Sequence, residues 1–283
     1  MGNVVTIEGF TFELEWLHFG VMGKAGTGKS HLLASMPKPL LVLATDPMTK
    51  LHPYYDHGIV DPKVYTGNLG QDIRLVKNKD GKTIIQIEGF YDRDPSLKNA
   101  AMTALVSRTT QLHGEANAGM WKSTALDSWS GFEDLARYRR LVEGQPFHVK
   151  NPDGRAHHNI AKEDCKSPFL HTLIHLNCNM GISFHVTRFA QESGGEVMYN
   201  VKCIGDFAQT ISQNLAERYH SISLPDGVTR RLHTRPDGRF ELATLIDAPD
   251  PCENTFGALF ANKIGKLLAE AKKAKAAEAP QTA

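Results

Sequence analysis

Cysteine is scarce in this sequence, with four residues in 283, at Cys165, Cys178, Cys203 and Cys252. None has the close spacing of a metal-binding or redox pair, and thiols so scattered make no disulfide framework. Reduced thiols in a cytoplasmic protein are the expectation. Apolar runs of membrane-spanning length are absent, and the first residues lack the apolar core of a secretory signal. The opening Met-Gly-Asn-Val-Val-Thr does fit the short N-myristoylation pattern of Gly2 followed by Thr6, too permissive a pattern to decide anything. An excess of one charge is missing too. Lys and Arg total 32 against 31 Asp and Glu, a formal net charge of +1. That excludes a global basic field, so any contact with nucleic acid must use a local patch.

What is present begins at residue 23. Gly23-Lys24-Ala25-Gly26-Thr27-Gly28-Lys29-Ser30 has the spacing G-x-x-x-x-G-K-S of a phosphate-binding loop. Trp16 to Gly23 reads as a buried strand running into glycine, and Lys29 to Met36 as a short helix stopped by Pro37 and Pro39. In that context Gly23, Gly26 and Gly28 let successive N–H groups converge on phosphate oxygens, helped by the positive end of the helix. Lys29 would reach the β- and γ-phosphates, and the Ser30 hydroxyl would ligate Mg²⁺.

Hydrophobic residues make up 41% of the chain, enough for a sizeable core, and its length suits a single embellished α/β unit. Pro39 to Asp46 is a second buried strand, which completes a βαβ unit and implies a parallel sheet. Alternation on either side of Lys79-Asp80-Gly81 predicts a solvent-facing hairpin over about 72–90. An amphipathic helix begins after Pro95. A short strand then ends at Asp127 and leads into another helix. Residues 144–164 read as a mobile loop or small insertion, and a helix capped at Ser167 precedes a strand ending near His185. Residues 188–200 read as another flexible loop. Two Pro-Asp-Gly turns, at 225–227 and 236–238, separate three segments that read as an antiparallel meander ending near Ile246. A final helix runs into an Ala/Lys tail.

Chemistry at a phosphate loop needs a carboxylate for the metal and a group that positions the attacking water. In open α/β sheets both lie at the carboxyl ends of strands. Asp127, followed by Ser128, is the candidate metal carboxylate. Asp46 is the candidate water-activating base, taken to reach the γ-phosphate from the strand beside the phosphate loop. His185 is the candidate γ-phosphate sensor.

The order of phosphate loop, strand-ending carboxylate, Leu-Asp-Ser, loop, polar-ended strand, second loop and β-meander resembles the RecA/RadA core. More closely, it resembles the phage-encoded RecA-like ATPases of the AAA nucleotide-binding group that includes the Sak-type single-strand annealing proteins. The resemblance covers roughly residues 15–248 and implies a three-layer α/β P-loop domain with a mainly parallel sheet and a C-terminal antiparallel meander. On this reading residues 1–250 form the ATPase domain, with 72–90 and 144–164 as insertions, and 251–283 form a C-terminal helix and tail. The resemblance implies an ATP- and Mg²⁺-dependent enzyme that assembles on single-stranded DNA and promotes annealing or homologous recombination in phage replication. Asp127-Ser128 takes the metal site, His185 the sensor, and Asp46 the place of a catalytic glutamate, one methylene shorter. The two loops would contact DNA through Lys150, Arg155, Arg188 and Phe189. A ring or filament of identical subunits would let Arg235 or Arg239 complete a neighbour's site, and a single-strand DNA-binding protein is a further expected partner. Two alternatives remain open: a small-molecule or nucleotide phosphotransferase, and an ATP-locked structural or loader protein with little turnover.

Overall fold

A computed structural model describes residues 2–46, 50–66, 71–91, 100–143, 154–189, 198–203, 207–236, 240 and 242–278. Lys150, Arg239 and the second Pro-Asp-Gly turn lie outside the described residues, as do the side chains of Arg155, Arg188 and Phe189. The chain opens with β1 (Asn3–Ile7) and β2 (Phe10–Leu14), an antiparallel hairpin that the sequence reading did not anticipate. There follow β3 (His18–Met22), α1 (Lys29–Ala34), β4 (Leu40–Ala44), α2 (His52–Tyr55), β5 (Ile59–Val60), β6 (Tyr65–Thr66), β7 (Gln71–Lys77), β8 (Thr83–Phe90) and α3 (Ala100–Asn117). The middle of the chain forms β9 (Ser123–Asp127), α4 (Trp129–Glu143), α5 (Gly154–His171), β10 (Asn179–Phe184), β11 (Val186–Phe189), β12 (Met198–Val201) and α6 (Phe207–Asn214). The last elements are β13 (Glu217–Ser223), β14 (Arg230–His233), β15 (Cys252–Glu253), α7 (Phe256–Leu259) and α8 (Ala261–Glu278).

A large mixed sheet runs in the order β15-β14-β13-β3-β10-β9-β4-β8-β7-β5, with β6 also on β7. Its central strands, from β13 through β8, are all parallel, and the antiparallel pairs lie towards the two edges. The fold is thus α/β around a mixed sheet with a parallel centre.

Both faces of the parallel centre are covered, which explains why its strands read as continuous apolar runs. Along β4 the side chains alternate between two cores. Leu41 and Leu43 join the core that includes residues of α3, α4, α5 and α6, whereas Leu40, Val42 and Ala44 join the core that includes residues of α1, α2 and α7. On the first face Trp129 is the hub. Its ring lies 5.2 Å from Phe132, 5.5 Å from Phe169, 5.9 Å from Phe184 and 5.0 Å from Phe207, centroid to centroid. Its indole N–H donates to Glu133 at 2.8 Å, so the buried ring leaves no polar atom unmet.

Several expectations need correction. The 72–90 hairpin exists, but its second strand is not solvent-facing. β8 adds in parallel to β4, and Ile85, Ile87, Glu88 and Phe90 are all buried. The Glu88 carboxylate is matched there by Arg108 Nε at 2.8 Å and Gln71 at 2.7 Å. Residues 154–164 are not loop: α5 starts at Gly154, and Ser167 and Pro168 lie inside it rather than at its start. Ala161, Cys165 and Phe169 recur every fourth residue and are fully buried, so packing of that stripe outweighs the missing N–H of Pro168. The 188–200 segment, read as flexible loop, is bounded by β11 and β12, which pair with each other.

The meander is correct in kind, but its third member is β15, paired with β14. The expected strand 239–246 forms no continuous ladder among its described residues, which carry isolated bridges such as Arg218–Ala243. The buried Glu217 carboxylate takes the N–H groups of Leu245 and Ile246, at 2.6 and 3.1 Å, in place of a ladder. The first Pro-Asp-Gly turn forms as expected, with Asp226 accepting from the N–H groups of Val228 and Thr229 at 3.0 and 2.8 Å.

Because Trp129 joins α4 to the rings of α5, β10 and α6, Trp129→Ala is expected to cost about 3–5 kcal/mol of unfolding free energy. Urea denaturation followed by circular dichroism measures it, and a loss below about 1 kcal/mol would contradict the hub role.

Candidate nucleotide site

The carboxyl ends of β3, β10, β9 and β4 meet at one edge of the sheet. The register puts Ser183 level with Val21, Ile182 level with Leu126, and Asp127 level with Ala44. Loops leaving those ends enclose a cleft of about 320 Å³. Ala25, Gly26, Gly28, Lys29, Ser30, Asp46, Asp127, Ser128 and His185 all line it, together with His31, Lys50, Pro53 and Arg230. The phosphate loop and the three polar strand ends predicted from sequence therefore share one space. Gly23, Lys24 and Thr27 belong to the same turn without lining the cleft.

The loop is held from two sides. Gly23 N–H donates to Phe184 O at 3.2 Å, which ties the loop to the end of β10. Ser221 Oγ donates to Thr27 O at 2.7 Å, and Ser223 Oγ donates to Gly26 O at 3.2 Å, so β13 props the other flank. Gly28 has φ of 100°, and a Cβ there would collide with the side chains of Arg230 and Asn254. Only glycine permits both that backbone and that approach.

Lys29 is 7% exposed, and its ammonium donates to the carbonyls of Gly23 at 2.9 Å and Lys24 at 2.7 Å. Burial pushes its pKa down to about 8, against the upward pull of Asp127 and then Asp46. The charge is thus held by loop carbonyls and by two nearby acids, without a hydrogen-bonded carboxylate of its own among the described residues.

Asp127 is buried and doubly fixed. Tyr54 donates its hydroxyl to Oδ2 at 2.9 Å and Ser183 donates to Oδ1 at 2.5 Å. Burial and the Asp127 charge push the Tyr54 pKa well up, which keeps it a donor. The next peptide, Asp127–Ser128, is cis. Thr45 closes the gap between β4 and β9. Its hydroxyl donates to Ser128 O at 2.6 Å and accepts from Ser128 N–H at 3.1 Å.

Asp46 reaches the cleft by a different route from the one expected. β4 is not the strand beside the phosphate loop, because β10 and β9 lie between β3 and β4. The crossover through α1 skips both positions, and Asp46, just past the end of β4, still lines the cleft. Lys50 Nζ, four positions on in sequence, stands 3.6 Å from its Oδ1. His185 is half-buried, and burial and then the Lys29 charge lower its pKa, so it is neutral at pH 7. Its carbonyl accepts from Lys202 N–H at 2.6 Å, which closes the base of the β11–β12 hairpin. Arg235 is exposed, pairs with Asp247 at 3.3 Å and does not line the cleft.

Tyr54, Ser183 and Arg230 were missed by sequence reasoning. Ser183 had a signal, a hydroxyl inside the apolar run Met180–Phe184. Tyr54 and Arg230 had none that is local.

Among the described residues no group of three His, Cys, Asp or Glu forms a metal cage. Mg²⁺ does not need one, since it commonly takes one or two protein oxygens plus phosphates and water. The Ser30 hydroxyl and the Asp127 carboxylate, which keeps lone pairs beyond those used by Tyr54 and Ser183, fit that role. No helix among the described residues is long and apolar enough to cross a membrane.

Neither a protein-family model nor a curated protein matches the chain. Among solved structures, the chain is similar to a prototypical ATPase from the type III secretion system of pathogenic bacteria. Identity is 12%, the TM-score is 0.40, and the match covers 76% of this chain and 54% of that one. The chain thus spans about half the length of that ATPase.

Protonation of Lys29 sets a pH dependence. With a ligand-free pKa of about 8, the charged form that attracts phosphate is depleted at higher pH. Affinity for Mg²⁺–ADP is expected to be flat below about pH 7.5 and to fall about tenfold by about pH 9. Fluorescence titration across that range measures it, and an unchanged affinity would contradict the assignment.

Proposed function

We propose that this chain is a Mg²⁺-dependent P-loop ATPase. The observation that carries the reading is the convergence of Lys29, Ser30, Asp46, Asp127 and His185 on one cleft at the carboxyl ends of parallel strands. Lys29 exchanges loop carbonyls for β- and γ-phosphate oxygens. Asp127 and Ser30 would hold the metal, which would supply charge neutralisation to the phosphates. Asp46 orients a water in line with the bond from the γ-phosphorus to the bridging oxygen and accepts its proton as that bond breaks. ADP and phosphate leave. His185, neutral near pH 7, donates a hydrogen bond to the γ-phosphate and loses it on hydrolysis.

A narrower reading is that single-stranded DNA is the partner, with annealing or recombination as the outcome and a ring or filament as the assembly. Its support is the β11–β12 hairpin, which starts one residue beyond His185 and carries Arg188 and Phe189 in sequence. A γ-phosphate contact at His185 would bias that hairpin. A single-strand DNA-binding protein as loader, and Arg235 or Arg239 acting on a neighbour's nucleotide, belong to the same narrower reading.

Steady-state ATP hydrolysis with Mg²⁺, with and without single-stranded DNA, tests both levels. Turnover is expected to vanish in Lys29→Ala and to fall at least about a hundredfold in Asp46→Asn, with ADP binding kept in the latter. Turnover that survives Lys29→Ala would overturn the ATPase reading. Turnover indifferent to DNA would overturn the narrower one and favour a phosphotransferase with a small acceptor. Binding without turnover would favour an ATP-locked protein.

A further inference from the structure

Arg230 opens β14, the strand that reaches the site because β13 adds in parallel to β3 and then turns back. Ser223, its partner in register, and Ser221 are the residues whose hydroxyls hold the carbonyls of Gly26 and Thr27. The arginine therefore stands on the platform that shapes the loop. Its side chain crosses Gly28 so closely that no Cβ fits there. Crowding the same Cβ position, Asn254 Nδ2 donates to Gly28 O at 2.8 Å, which fixes the same turn.

The guanidinium is set against this turn without satisfying its own hydrogen bonds. Arg230 Nε is buried with no hydrogen-bond partner among the described residues, and Asn254 Oδ1 is likewise buried and unmet. A guanidinium carries five N–H donors in a planar fork, and phosphate oxygens match that fork.

Position along the loop tells which phosphate. Asp127 and Asp46 are the acids whose charges reach the Lys29 ammonium, the β/γ end of the site. Arg230 instead lies over Gly28 and lines the cleft together with His31, just past Ser30, where burial and then the Arg230 charge lower the imidazole pKa. A second cleft of about 400 Å³ adjoins the first and shares His31 and Arg230 with it. Arg230 thus stands where the phosphate cleft opens into a further space.

We propose that Arg230 is a nucleotide-binding residue supplied by the same chain, and that its guanidinium holds the α- and β-phosphates across Gly28. The inference rests on reading the cleft as a nucleotide site and adds a cation that acts on ground-state binding rather than on cleavage. ADP and ATP carry the same two phosphates, so loss of Arg230 weakens both alike.

The test compares Mg²⁺–ADP and Mg²⁺–ATP affinity, and kcat at saturating ATP, in the parent full-length chain, Arg230→Gln and Arg230→Lys. Thermal melting without nucleotide checks that each variant folds. Arg230→Gln is expected to weaken both nucleotides by about 10- to 100-fold, with kcat within about threefold of the parent, and Arg230→Lys to fall between. Unchanged affinity in Arg230→Gln beside normal binding by the parent would overturn this inference alone. A fall in kcat with ADP affinity kept would move the arginine to the γ-phosphate and also overturn it. A parent that binds neither nucleotide would overturn the nucleotide reading and this inference with it. If Arg230→Gln does not fold, Arg230→Lys decides by the same comparison of ADP with ATP.

Discussion

A lysine ammonium is hard to bury, and the site is arranged around one that is buried. Lys29 keeps its charge near neutral pH because two loop carbonyls accept from it and Asp127 and Asp46 act on it through space. The carbonyls and Asp127 cannot be moved freely. The carbonyls belong to a turn that β10 suspends and β13 props, and Asp127 is pinned by Tyr54 and Ser183. A charge held this way is poised for an anion, since phosphate oxygens give back the hydrogen bonds and the opposite charge that burial removed.

The sheet explains why those groups are in one place. Parallel strands end at one edge, so polar residues that terminate apolar runs gather there without being neighbours in sequence. β10 lies between the phosphate-loop strand and the Asp127 strand, and it supplies Phe184 O for the loop, Ser183 for Asp127 and His185 for the cleft. One strand thus links the loop, the Asp127 carboxylate and the hairpin beyond. The aromatic cluster around Trp129 supports the same strand from below through Phe184.

The phosphate loop, β3, β4 and β9 were legible in the sequence because their signals are local: an apolar run, then glycine or a carboxylate. Asp127 and His185 were placed at the strand ends that line the cleft by the same rule. The path to Asp46 was not, because skipping two sheet positions is a property of the whole topology. α5 was hidden by its polar N-terminal half and by Ser167-Pro168, and its stripe of Ala161, Cys165 and Phe169 has meaning only against α4 and β10. Arg230 sits in a segment of mixed polarity, Val228 to Thr234, and nothing in that segment shows that it meets Gly28, more than two hundred positions earlier. Glu217 misled the meander assignment for a related reason, since a side chain took the backbone donors that a strand would have paired.

The central claim is that this cleft recognises a nucleotide through its phosphates. Isothermal titration of the full chain with Mg²⁺–ATP, Mg²⁺–ADP and adenosine tests it most directly. The account predicts saturable binding of ATP and ADP at one site per chain, with adenosine at least about a hundredfold weaker. Adenosine binding as tightly as ADP, or no binding of either nucleotide, would contradict it.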